Sequence, residues 1–129
     1  MKNLDQLRAA QAARFWKSEP ARKLAAADAL ADVLKLPALV LNNGLLATLA
    51  LAKSHGQAVR IIMDDLAAFL SPGRIGVLPV PASNLDSLIN VLTHELSDTL
   101  LLQRATGETL AYLRFLMRFA PRPPSHPPA

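Results

Sequence analysis

The chain has 129 residues, 51% of them apolar but only six aromatic, so it has room for one core built mainly of Leu, Ala, Ile and Val. Its 14 basic and 10 acidic side chains leave a net charge of +4, and the absence of cysteine excludes disulfides, zinc–thiolate sites and thiol nucleophiles. Leu and Ala favour helix, whereas strand-forming β-branched and aromatic residues are scarce, which predicts an all-α, single-domain bundle of about six helices.

Met1 to Gln11 is polar and carries Lys2, Asp5 and Arg8, unlike a secretory signal. Asn3 or Asp5 starts a first helix that runs to about Lys17, with Leu4, Leu7 and Phe15 within about 80° of one another. Ser18-Glu19-Pro20 ends it, and Pro20 suits the opening turn of a second helix, Ala21 to Leu36, with Leu24, Leu30, Val33 and Leu34 inward. Pro37 opens a third helix whose leucines, from Leu39 to Leu51, lie nearly all round it, the pattern of a central, buried helix. Asn42-Asn43-Gly44 interrupts it and reads as buried amides beside a glycine that permits close helix approach. The apolar stretch from Leu36 to Ala52 falls short of the roughly 18 to 20 residues that span a bilayer, so a cytoplasmic protein with no membrane partner is expected.

His55-Gly56 supplies a left-handed cap. A fourth helix, Gln57 to Leu70, follows with Val59, Ile62, Met63, Leu66, Phe69 and Leu70 at helical spacing, and Ser71-Pro72-Gly73 stops it. Residues 74–82 form a loop, in which Pro79 and Pro81 exclude a central strand. Ser83 with Asp86 resembles a capping box for a fifth helix, Asn84 to about Glu95, and a last helix runs from about Ser97 to Phe119. Whether those two are continuous stays open. The helical domain is therefore residues 1–120, and 121–129, PRPPSHPPA, is a flexible Pro-rich tail.

No constellation carries catalysis. Asp64 and Asp65 diverge by about 100° on a helix, with no third ligand one turn away, and read as a solvated face. Asp28 and Asp32 share a face with Lys35 in reach, again a surface pattern. His55, His94 and His126 are far apart, and neither a zincin helix, a phosphate-binding Gly-rich loop nor a serine elbow is present. No cofactor, metal or small-molecule substrate is implied.

Charge is uneven: residues 1–35 carry +3, residues 36–103 carry −2 and residues 104–129 carry +3, so the cations form one patch if the terminal helices pack together. On the last helix Leu102, Ala105, Leu110, Tyr112, Leu113, Leu116, Met117 and Phe119 cover one side. Arg104, Arg114 and Arg118 lie opposite, inside an arc of about 80°. Arg104 has Glu108 four residues on as a surface partner. Arg114 and Arg118 are like charges with no acid within a turn, which suits either the helix dipole or a bound anion.

Two segments resemble a known family. Leu36 to Lys53 (LPALVLNNGLLATLALAK), closed by Gly56, is similar to the central helix of the small helical subunit of type III-B CRISPR (Cmr) effector complexes, and Arg104 to Ala120 to the C-terminal helix of the same family. The chain departs from that pattern at Leu51, where an aromatic is common, at Phe115 and Met117, where Trp and Lys are common, and at Gly107. These swaps keep the apolar pattern, though Met117 removes one phosphate contact. The resemblance implies a non-catalytic ribonucleoprotein subunit in antiviral defence, stacking with further copies of itself and other Cmr subunits beside guide RNA and target RNA. Pairing reads sequence there, so the protein need offer only cations and shape. Candidate RNA contacts are Arg8, Arg14, Arg22, Lys23, Lys53, Arg114 and Arg118. The other reading is a basic helical adaptor that binds only proteins.

Overall fold

Asn3 opens the first helix with a full capping box: its side chain accepts the Gln6 amide, and the Gln6 side chain accepts the Asn3 amide, both at 2.8 Å. The computed structural model describes residues 3–24, 27–54 and 56–121, and every element among them is helical. In chain order these are α1 (Leu4–Lys17), α2 (Glu19–Arg22), α3 (Ala27–Leu34), α4 (Leu36–Asn43), α5 (Leu45–Ser54), α6 (Gln57–Leu70), α7 (Leu85–Thr93) and α8 (Thr99–Phe119). The all-α single domain is as expected, but its helices are shorter and more numerous. Of the expected His55-Gly56 cap, Gly56 takes a positive φ of +84° with ψ 172° and stands as the N-cap of α6, whereas His55 and the tail with His126 lie outside the described residues.

The expected second helix is two segments, α2 and α3, and Leu34, expected inward, is exposed. The expected central helix is also two segments. Gly44 turns the chain between α4 and α5 with φ +88° and ψ 162°, a region essentially restricted to glycine. Its N–H closes α4 on the Val40 carbonyl at 2.9 Å, and its carbonyl accepts the Thr48 hydroxyl at 2.8 Å at the start of α5. Nothing lies within 4 Å of where its Cβ would be, so Gly44 serves the corner and not a close approach. Asn42 and Asn43 are exposed, not buried.

The corner also moves the centre of the core. Leu41 is 72% exposed, whereas α6 buries Val59, Ile62, Met63, Leu66, Ala67, Phe69 and Leu70. An unbroken amphipathic helix of four turns presents one wide apolar face, and α6 accordingly packs against α3, α5, α7 and α8. Beyond it, residues 71–84 fold back as a loop that is part of the core. Ser71 accepts the Ala82 amide at 2.8 Å, Leu78 donates to the Leu70 carbonyl at 2.9 Å, and Leu78 and Ala82 are buried. The cap of α7 is Asn84 with Ser87, one residue later than the expected Ser83 and Asp86. Residues 94–98 separate α7 from α8, whose N-cap is Asp98, so the last two helices are not continuous.

The first and last helices run side by side and parallel. Arg8 pairs with Glu108, and the Trp16 indole donates to the Leu116 carbonyl at 2.9 Å, eight residues farther along both helices. Gly44→Ala, which adds no clash and acts only through the backbone, is expected to lower unfolding free energy by about 1–3 kcal/mol in urea titrations.

Candidate nucleic-acid interface

The polar residues of α1, α6 and α8 meet around one carboxylate. Asp65 accepts Gln11 Nε2 from α1 at 3.0 Å on one oxygen and the Tyr112 hydroxyl from α8 on the other. Tyr112 is fully buried and stacks on Phe69 at 4.3 Å between ring centroids. Burial pushes the Asp65 carboxyl up from its ordinary range, against the lowering effect of these two donors. Burial, then the neighbouring Asp65 charge, holds the Tyr112 hydroxyl protonated well above its usual range. Asp64 points elsewhere and accepts the Leu85 amide at 2.7 Å, tying α6 to the start of α7. The pair diverges as expected, but neither carboxylate is a merely solvated group. No cluster of metal-ligating side chains occurs among the described residues.

The expected cations divide into three environments. Arg8 is internal: its guanidinium grips Glu108 through Nε at 2.6 Å and Nη2 at 2.8 Å, and reaches Asp5 at 2.7 Å. The hydrogen bond to the Glu108 carboxylate raises the Arg8 pKa further, so it is a permanent, neutralised cation. Glu108 is therefore the buried partner of Arg8 and not the surface partner of Arg104. Lys53 lies 3.4 Å from Asp86, which also takes Arg60 at 3.0 Å. Arg22 and Lys23 are exposed at the end of α2, and Arg114 and Arg118 are exposed on α8 with no ion-pair partner among the described residues.

The terminal helices do pack together, but their cations do not merge into one patch. On α1, Arg14 lies about 160° round the helix from the side that carries Arg8 and Trp16 toward α8. Arg114 is turned about as far from the side of α8 that meets α1. Because the helices are parallel, both groups sit toward the same end, on opposite outer flanks. Arg14 instead converges with Arg74, a residue the charge pattern did not single out, on the Gln11 carbonyl oxygen at 3.0 and 2.8 Å. Gln11 was legible as unusual, since it falls in the apolar arc of Leu4, Leu7 and Phe15. Phe119, expected in the core, is 45% exposed.

The molecule so built is of a definite class: an all-helical packing protein in which Asp65 with Gln11 and Tyr112, and Arg8 with Glu108, join helices, with further cations left on its outer flanks. Residues 4–122 match the family model of CRISPR-associated proteins Cas_Cmr5, and the chain belongs to that family. It is a small subunit of a type III-B CRISPR (Cmr) complex, with the other protein subunits of that complex as partners. Comparison with curated proteins and with solved structures gave no match. No described helix is long and apolar enough to cross a membrane.

Because Asp65 binds a proton more readily folded than unfolded, its favourable contribution is complete below the ordinary carboxylate range and is lost as pH rises through its folded value. Asn at this position still accepts from Gln11 and donates to Tyr112. The thermal midpoint of Asp65→Asn relative to the parent chain is therefore expected to rise between pH 4 and pH 7 in parallel melts; a constant difference contradicts the assignment.

Proposed function

We propose that this chain is a non-catalytic subunit that lines the guide–target duplex of its complex, stacks with further copies of itself, and touches RNA only through phosphates. The observation that carries this reading is the exposed Arg114–Arg118 pair in a subunit of an RNA-guided complex. Like charges four residues apart oppose each other by a few tenths of a kcal/mol, a cost that a bound phosphate reverses. Arg14, Arg22 and Lys23 are exposed and join the proposed contacts, and Lys53 joins them by exchanging Asp86 for phosphate. Arg8 does not, because Glu108 and Asp5 already occupy it. A place in the cytoplasm follows from the same reading.

Protein contacts draw on a different surface. Leu96, 85% exposed, borders one hollow with the exposed Val80 and the half-buried Val91 and Leu101, and contiguous apolar surface of this kind suits burial against neighbours; Leu41, 72% exposed, adds a second bare leucine. These leucines also favour the second reading, an adaptor that binds only proteins.

Salt dependence separates the two. In the assembled Cmr complex, Arg114→Glu with Arg118→Glu is expected to weaken target-RNA binding and reduce the magnitude of the salt slope by about 0.7–0.9 per lost contact. Unchanged affinity and slope would overturn the Arg114–Arg118 contact that carries the RNA reading and favour the adaptor. We further propose residues 1–120 as the folding unit, so a chain ending at Ala120 is expected to melt at the same temperature as the full chain.

A further inference from the structure

Two guanidinium groups from different parts of the chain meet on one neutral atom. Arg14 Nη2 from α1 and Arg74 Nη1 from the loop after α6 donate to Gln11 Oε1 at 3.0 and 2.8 Å. Their nitrogens are thus within about 6 Å of one another, a distance at which two cations repel appreciably near a protein surface. The arrangement is not accidental to a rotatable amide. Gln11 Nε2 donates inward to Asp65 at 3.0 Å, and only this orientation satisfies the carboxylate and both arginines together. Asp65 in turn uses one oxygen on Gln11 and the other on Tyr112, so it holds the amide without touching either guanidinium. Neither arginine has an ion-pair partner among the described residues, and each keeps further N–H donors unspent.

These groups border a hollow of about 290 Å³ whose wall also includes Phe69 and Gly73, beside the turn that sets Arg74 in place. The hollow is open to solvent and large enough for a phosphoryl group with its ester substituent. Two forks converging from two elements, held by an amide keyed into the core, match the planar, multidentate donor geometry that phosphate oxygens accept. We infer that Arg14 and Arg74, set by Gln11, form a binding site for a phosphoryl anion, supplied by either a nucleic-acid phosphodiester or a free phosphate monoester. The site lies on the flank of α1 turned away from Arg114 and Arg118. For its phosphodiester source it rests on the RNA-contact reading, but the anion site itself does not.

The test follows the Arg Nε–Hε NMR signals of the full chain during titration with inorganic phosphate, with a nucleoside monophosphate and with a short RNA oligomer. The expected result is a saturable shift of Arg14 and Arg74 together with phosphate, weakened at least tenfold in Arg74→Gln and unchanged in Arg114→Glu/Arg118→Glu. Arg74→Gln alters an exposed loop side chain, and its unchanged amide spectrum elsewhere verifies the fold. Arg74→Lys is expected to recover only part of the affinity, since it restores charge but not the fork. Saturation by RNA oligomer at lower concentration than by the monophosphate assigns the phosphodiester source, and the reverse order assigns the monoester. Non-saturating shifts, or equal shifts in Arg74→Gln, would overturn the site; if the Arg114/Arg118 variant still loses RNA affinity in the assembled complex, the RNA reading survives that failure. Conversely, saturation by phosphate alongside an unaltered complex supports the site and removes the Arg114–Arg118 contact.

Discussion

The Asp65 carboxylate is the point on which the terminal helices depend. One oxygen takes Gln11 from α1 and the other takes Tyr112 from α8, so the first and last helices are fastened to the central α6 through a single group. Burying a carboxylate is unfavourable unless its lone pairs are satisfied, and here each oxygen has its own donor. Parallel neighbours cannot be joined by a short turn, and the whole intervening chain separates α1 from α8. The contact between them combines apolar packing, with Ala12, Phe15 and Leu116 in the common core, and specific bonds: Asp65 at the centre, the bidentate Arg8–Glu108 pair, and the Trp16 indole on the Leu116 carbonyl.

The same interaction shapes the surface. Because Asp65 captures the Gln11 amide nitrogen, the carbonyl oxygen faces outward and gathers Arg14 and Arg74. Core polarity thus places surface cations, with the Asp65 charge acting on them through space and not by a direct ion pair. Arg8 shows the opposite outcome. Its position on α1 faces Glu108, and the pair is withdrawn from any external partner. Whether an arginine of this protein is available to an anion is decided by which acids its helix face meets, and net charge says nothing about it.

The breaks in the helices serve the same economy. Gly44 folds what composition suggests is one buried helix into two, which lets α4 reach α8 while α5 meets α6 and α7. The segment after α6 has two prolines and so cannot join a ladder, yet its Leu78 and Ala82 close the core through Ser71. Leu41 and Leu96 are left bare by this arrangement.

Short-range signals determined much of this protein from the sequence alone. The all-α class, α6 from Gln57 to Leu70, the limits of α1, the loop at 74–82 and the outward arginines of α8 all follow from periodicity, caps and prolines that act within a turn or two. So did the family, through the residues around Asn42-Asn43-Gly44 and along Arg104 to Ala120. What stayed hidden joins residues far apart. Glu108 looks like a partner for Arg104 one turn away and belongs instead to Arg8, a hundred positions earlier. Asp65 looks solvated until Tyr112 and Gln11 are brought to it. Arg74 is one loop arginine until Arg14 arrives beside it. Each depends on the register of packed helices, which is set by the sum of many apolar contacts and by the corner at Gly44. No local pattern of residues encodes that sum; only the tertiary structure decided it.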